Sequence, residues 1–434
     1  MNIIQNRFFR FCTLVFFVFQ FIGYPQDDVD ELISFLKSTD GIEIVSKIED
    51  DNFKVVLELQ VDQPLDHKNL GSEKFKQQIF LSHLDKTKPV VFDLDGYAVK
   101  NRTTELTKLL NCNQIIIEHR YFGQSVPSPF DWKYLTIEQA ANDHHKIIEI
   151  FKQFYTGKFI STGISKGGSC VVFHKYFYPT DIDASVAYVG PLNYSIDDNR
   201  VYEWIKSVSI PECREKVHDF QRLCLEKRDE IYPIFLEHAE NKKLTYNIVG
   251  YEKAYEYSVL EYSFAYWQWS SGDCSKIPNE FSSTKEIWDH LLEYGGVKYF
   301  DDSDITVNYP FFYQCYTDYG YYAYAVDEFK DLLEYADGQT QFFIPKDSNP
   351  VYNSQLLCSI GNWASNDAEN IIYIYGGNDP WTSTGVCLTG RTNSLKMILA
   401  NGSHKTRIKD FPEKDKKIIY SRLENWLGIK IDPK

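Results

Sequence analysis

Three residues far apart in the chain have the types and the order for acyl-transfer chemistry: Ser165, Asp379 and His404. A serine hydroxyl is a weak nucleophile until an imidazole takes its proton, and that imidazole needs a carboxylate to fix its tautomer. Ser165 stands in Gly163-Ile164-Ser165-Lys166-Gly167, directly after the strand-like Lys158-Phe159-Ile160-Ser161-Thr162. Glycines flanking a serine on a strand-to-helix turn have a steric reason, because a Cβ at either position would meet neighbouring backbone. Asp379 follows the apolar run Ile371-Ile372-Tyr373-Ile374-Tyr375-Gly376, and His404 follows Leu395-Lys396-Met397-Ile398-Leu399-Ala400. Rival residues fit less well. His119 precedes the serine, His144 and His145 fall mid-helix, and Asp367 ends no strand.

A serine, acid and base in that chain order imply an α/β-hydrolase fold, with a mostly parallel central sheet flanked by helices. Phe53 to Gln60 and Lys76 to Leu84 alternate as strands do, and Val90-Val91-Phe92-Asp93-Leu94 reads as a third. Gln114-Ile115-Ile116-Ile117-Glu118 and Ala184-Ser185-Val186-Ala187-Tyr188-Val189 are near-continuous apolar runs, typical of buried parallel strands. Thr136 opens a long helix running to about Tyr155. The spacing then predicts a first hydrolase part over 25–195, an inserted helical cap over 196–349, and a second hydrolase part over 350–434. An oxyanion hole would use the backbone N–H of Lys166, whose side chain is expected to face solvent, and the N–H of Tyr97 after the third strand. Gly96-Tyr97 could equally be an ordinary tight turn.

Composition narrows the partners. A formal net charge of −15 argues against nucleic acid and anionic membranes. Residues 1–24 read as a signal peptide, with Arg7 and Arg10 ahead of an apolar stretch, Phe11 to Ile22. That stretch is shorter than the roughly 20 residues a span needs. Export without lasting membrane association is the expectation, although a weak cleavage site leaves an uncleaved anchor as the alternative. The cysteines make no paired zinc-type spacing, so neither metal nor organic cofactor is expected. At least one disulfide is expected among Cys213, Cys224, Cys274 and Cys315, because an exported helical insertion lacks the sheet's support. Asn101, Asn193 and Asn401 match the glycosylation acceptor pattern. The 16% aromatic content peaks in Leu260 to Trp269, where Tyr262, Phe264, Tyr266, Trp267 and Trp269 could be core or pocket. Trp267 and Trp269 are the expected pocket rings, with Glu261 and Asp95 as candidates for holding a substrate ammonium.

Several strings together resemble one family. Glu118-His119-Arg120-Tyr121-Phe122-Gly123-Gln124-Ser125, Gly163-Ile164-Ser165-Lys166-Gly167-Gly168, Tyr188-Val189-Gly190-Pro191-Leu192-Asn193, Phe264-Ala265-Tyr266-Trp267-Gln268-Trp269 and Asn378-Asp379-Pro380-Trp381 look like the secreted serine tripeptidyl aminopeptidases of the prolyl tri/tetrapeptidyl type. Gln63-Pro64-Leu65-Asp66-His67 is also similar to the cousin prolyl carboxypeptidase and dipeptidyl peptidase II family. The resemblance runs from about Phe53 to Trp426. It implies Ser165, Asp379 and His404 as a triad. It also implies release of tripeptides, often after proline, from free amino termini through an acyl-enzyme. One departure stands out: Asp95 occupies a position where that family is expected to carry glutamate. The alternatives are a prolyl carboxypeptidase-like enzyme and a carboxylesterase or lipase of the same fold.

Overall fold

Short apolar runs from across the chain meet in one sheet. The computed structural model describes residues 28–69 and 71–432, so the expected signal peptide lies outside the described residues. The strands are β1 (Ile42–Ile48), β2 (Val55–Pro64), β3 (Lys74–His83), β4 (Val90–Leu94), β5 (Asn113–Ile117), β6 (Phe159–Ile164), β7 (Ala184–Tyr188), β8 (Ile371–Gly376) and β9 (Leu395–Leu399). Their spatial order is β1-β2-β3-β5-β4-β6-β7-β8-β9. Pairing is antiparallel from β1 to β5 and parallel from β5 through β9. β4, β5, β7 and β8 are buried along their whole length, which is why they read as continuous apolar runs. β1 and the helix before it were not foreseen. Its residues alternate between half-buried and exposed, as on an edge strand with little core to mark it.

The helices are α1 (Asp28–Ser38), α2 (Glu105–Leu110), α3 (Ile137–Lys152), α4 (Lys166–Phe177), α5 (Asn199–Ile205), α6 (Pro211–Glu226) and α7 (Arg228–Lys242). They continue as α8 (Tyr251–Trp269), α9 (Thr284–Tyr294), α10 (Asp302–Val307), α11 (Tyr309–Gln314), α12 (Gln355–Asn366) and α13 (Glu413–Leu427). Thr136 caps α3, its side chain accepting from Gln139 N at 3.2 Å. Strand side chains alternate between two cores. Phe92, Tyr373 and Tyr375 face the core shared with α3, α4 and the inserted helices, while Val91, Ile372 and Ile374 face α2 and α13. Among the described residues, no helix is long and apolar enough to cross a membrane.

Between β7 and β8 the chain is helical, and α8 runs buried through the middle of that layer against α6, α7 and α9. A disulfide joins Cys213 of α6 to Cys274 just after α8, as expected for this layer. Cys224 and Cys315 are buried thiols. Asn193 is fully buried, so the folded chain offers it no room for a glycan.

Candidate active site

β6 delivers Ser165 to the start of α4 through a turn in a strained conformation, with φ 59° and ψ −125°. Close approach explains the glycines around it. A Cβ on Gly163 would lie 2.3 Å from the Gly167 carbonyl oxygen, and one on Gly168 would lie 2.6 Å from that of Tyr188. β8 ends just before Asp379, which opens a 3-10 turn and accepts from Trp381 N through Oδ1 at 3.2 Å. Its Oδ2 lies 2.7 Å from His404 Nδ1. Both side chains are buried. A carboxylate only accepts, so Nδ1 carries the proton and Nε2 is left as the basic nitrogen. The His404 N–H donates to the Gln268 carbonyl at 2.9 Å, and Trp269 packs edge-on to the imidazole at 5.2 Å. Ser165 and His404 line one cleft of about 700 Å³ between the sheet's C-terminal edge and the inserted helices.

Glu261 lines the same cleft from α8. The Tyr322 hydroxyl donates to both its carboxylate oxygens, at 3.0 and 2.9 Å, and no ion-pair partner faces it among the described residues. Burial pushes its pKa up from 4.5 to about 7, with hydrogen bonds to Tyr322 and Tyr324 pulling the other way. Asp95 differs. Its Oδ2 accepts from Arg102 Nη2 at 2.8 Å, and its Oδ1 accepts from Tyr97 N at 3.0 Å. Arg102 also holds Asp93, so Asp95 presents a compensated carboxylate rather than a free one. The same geometry corrects the expectation for Tyr97: its N–H is already engaged by its own turn. Lys166 N–H occupies the first position of α4, where the helix itself supplies no acceptor.

Two further expectations need correction. The Lys166 side chain does not reach solvent. It is buried, donates from Nζ to the Gly96 carbonyl at 2.8 Å, and lies over the Phe122 and Tyr97 rings at 4.7 and 5.3 Å. Burial lowers its pKa to about 8. Trp267 does not face the cleft. Two residues apart on a helix point to different sides, so Trp269 borders the cleft while Trp267 lines a separate cavity of about 200 Å³ behind α8.

Sequence reasoning missed Tyr322, Arg102 and Arg407. A dense tyrosine run, Tyr316 to Tyr324, was the available signal for the first. The Glu118–Ser125 string proves to be scaffold. Glu118 accepts N–H bonds from Val99, Gln124 and Ser125, and Arg120 pairs in a fork with Asp143. His145, Glu149 and Asp181 come close enough to share a cation, and Lys152 Nζ already sits there, 2.6 Å from Glu149 and 3.0 Å from Asp181.

Comparison with known proteins bears on this geometry. Residues 28–432 match the PS-10 peptidase S37 family. The chain belongs to that family. It is a serine-type peptidase on an α/β-hydrolase fold. It is 29% identical over 376 residues to the prolyl tri/tetrapeptidyl aminopeptidase of Streptomyces mobaraensis, covering 85% of this chain and 79% of that one. Among solved structures it is similar to VinJ, at a TM-score of 0.39 and 11% identity over 85% of this chain and 98% of that one. Proline iminopeptidase of Mycobacterium smegmatis matches at a TM-score of 0.39 and 10% identity, with coverage of 85% and 98%. These two likenesses are distant, and the fold stands on the sheet order above.

Proposed function

We propose that this S37 peptidase is an exported tripeptidyl aminopeptidase that cleaves after a short segment bearing a free amino terminus. Ser165 attacks the scissile carbonyl, His404 Nε2 takes its proton and returns it to the leaving amine, and Asp379 orients the imidazole. Lys166 N–H donates to the developing oxyanion at the start of α4. Tyr97 N–H would have to leave Asp95 to join it. The observation that carries the reading is Glu261: a buried carboxylate, without a cation, in the cleft that holds Ser165 and His404. A substrate ammonium would supply the missing charge, whereas a blocked amine would leave Glu261 unpaired, at a cost of about 2–5 kcal/mol. A carboxypeptidase would want a cation in that place.

Phe264, Tyr321, Tyr322 and Trp381 wall the cleft with packed rings. A proline residue brings no N–H to such a wall, so burying it leaves no donor unsatisfied. This supports a proline preference beside the scissile bond. The basic, apolar amino-terminal segment supports export. The test is a pair of peptides, free and N-acetylated, with proline within the first three residues. Acetylation is expected to lower kcat/KM by at least about tenfold, with an intact tripeptide as the product from the free form. Equal rates would overturn the reading.

A further inference from the structure

An enzyme that closes on an amino terminus must stay open on the other side of the scissile bond, because the rest of the substrate has no fixed length. A second cavity, of about 900 Å³, shares wall residues with the cleft that holds Ser165. It lies between α2 and α13 over the sheet, with Thr162 and Tyr188 in its floor. The two spaces share Arg102, Ile164 and Arg407, and Ile164 immediately precedes the serine.

The two shared arginines differ in charge balance. Arg102 is held by Asp93 and Asp95, so it offers little net charge. Arg407 donates from Nη1 to the carbonyls of His404 and Thr406, at 3.2 and 2.8 Å, and lies over the Tyr188 ring at 5.6 Å. Carbonyls and a ring do not neutralise a guanidinium, and among the described residues no carboxylate comes within ion-pair distance of it. Glu105 lines the groove with Asp93, Glu413 and Asp432, and Lys108, Lys409 and Lys416 line it too. The Glu105 oxygens accept from Tyr188 Oη and the N–H groups of Ile408 and Lys409, which hold it out of contact with Arg407 but leave its charge acting at longer range. Burial holds the Arg407 pKa below its ordinary value, against the longer-range pull of Tyr188, Glu105, Asp410 and Asp379. Arg407 is thus a cation at the mouth of this groove with carboxylates near it but none in contact.

Building on the aminopeptidase reading, we propose that the groove between α2 and α13 carries the leaving part of the substrate. In it, Arg407 recognises an acidic side chain a few residues beyond the scissile bond. Arg407 is then a specificity-determining residue. A guanidinium–carboxylate contact in a part-buried groove predicts about a tenfold preference in kcat/KM for glutamate over lysine there.

The experiment uses the full-length enzyme and peptides with one common amino-terminal tripeptide. The leaving segment carries Glu, Gln or Lys at its first, second or third position, and its carboxyl terminus is amidated. Tripeptide release is followed by mass spectrometry. The expected result is a Glu-over-Lys preference at one position, weakened at high salt, kept in Arg407→Lys and erased in Arg407→Gln. Arg407 also braces the His404 loop, so its variants are compared by their Glu/Lys ratio, which a uniform loss of rate leaves unchanged. A wild-type ratio within about twofold, or an unchanged ratio in Arg407→Gln, overturns the proposal. So does a preference seen only with a free carboxyl terminus, since the occupant would then be that terminus. Failure of the aminopeptidase reading looks different: products other than the tripeptide, or indifference to N-acetylation.

Discussion

Replacing Glu261 by glutamine tests whether a site is kept at the expense of stability. In the folded chain its pKa is about 7, against the ordinary 4.5. The folded state therefore binds the proton more tightly than the unfolded chain. Between about pH 4.5 and 7 stability falls as pH rises, and above 7 the whole cost is present. That interval, at about 1.4 kcal/mol per pH unit, amounts to about 3 kcal/mol. Glutamine has nearly the same shape and no charge. Glu261→Gln should thus be more stable than the parent at about pH 8, by up to roughly 3 °C for about 2.1 cal/mol/K of unfolding entropy per residue. At about pH 4 the two should melt together. Activity should move the opposite way. The ratio of kcat/KM for free over N-acetylated peptide should rise about sixfold from pH 6 to 7.5 as Glu261 ionises, then decline as the substrate amine deprotonates near pH 8. His404 titration affects both substrates and cancels in the ratio. In Glu261→Gln the ratio should be flat and close to one. Melting curves and paired kinetics across pH supply both readouts. A flat ratio in the parent, or a variant no more stable at pH 8, would refute the argument.

Other expectations are simpler to check. Ser165→Ala should abolish peptidase activity and fluorophosphonate labelling, a loss of about 10⁴–10⁶ in kcat. Ser165→Gly should be equally inactive yet melt higher than the alanine variant, because glycine tolerates the positive φ of the elbow. Lys166→Met removes the donor to the Gly96 carbonyl, which costs about 1–3 kcal/mol if that oxygen stays buried and unpaired. A fall in kcat without a rise in KM would mark it as a positioning residue for the loop beside the serine. Cys213→Ser, or reduction of the bridge to Cys274, should cost about 4 kcal/mol for a loop of this length, read by denaturant unfolding.

The parts of this protein legible in its sequence are those fixed by local sterics and one-dimensional burial. The elbow glycines, the all-apolar strands β4, β5, β7 and β8, and the Ser–Asp–His order each leave a signature within a few residues. The disulfide was expected in the helical layer, but its pairing was not, since four cysteines permit three connectivities. β1 escaped because an edge strand with one weakly buried face has no distinctive run.

Side-chain direction and charge compensation were decided only by the tertiary structure. Lys166 turns inward because the Gly96 carbonyl and the rings of Tyr97 and Phe122 arrive from β4 and the loop after β5. Trp267 and Trp269 are alike in sequence, and the packing of α8 alone sends one behind the helix and the other to the cleft. Glu261 and, behind it, Asp95 were both candidates by type. The fold gives Asp95 the Arg102 guanidinium and gives Glu261 tyrosine hydroxyls, Tyr322 foremost, 61 residues away. A carboxylate's value to a site depends on which cations it has already met, and those meetings are contacts between distant parts of the chain.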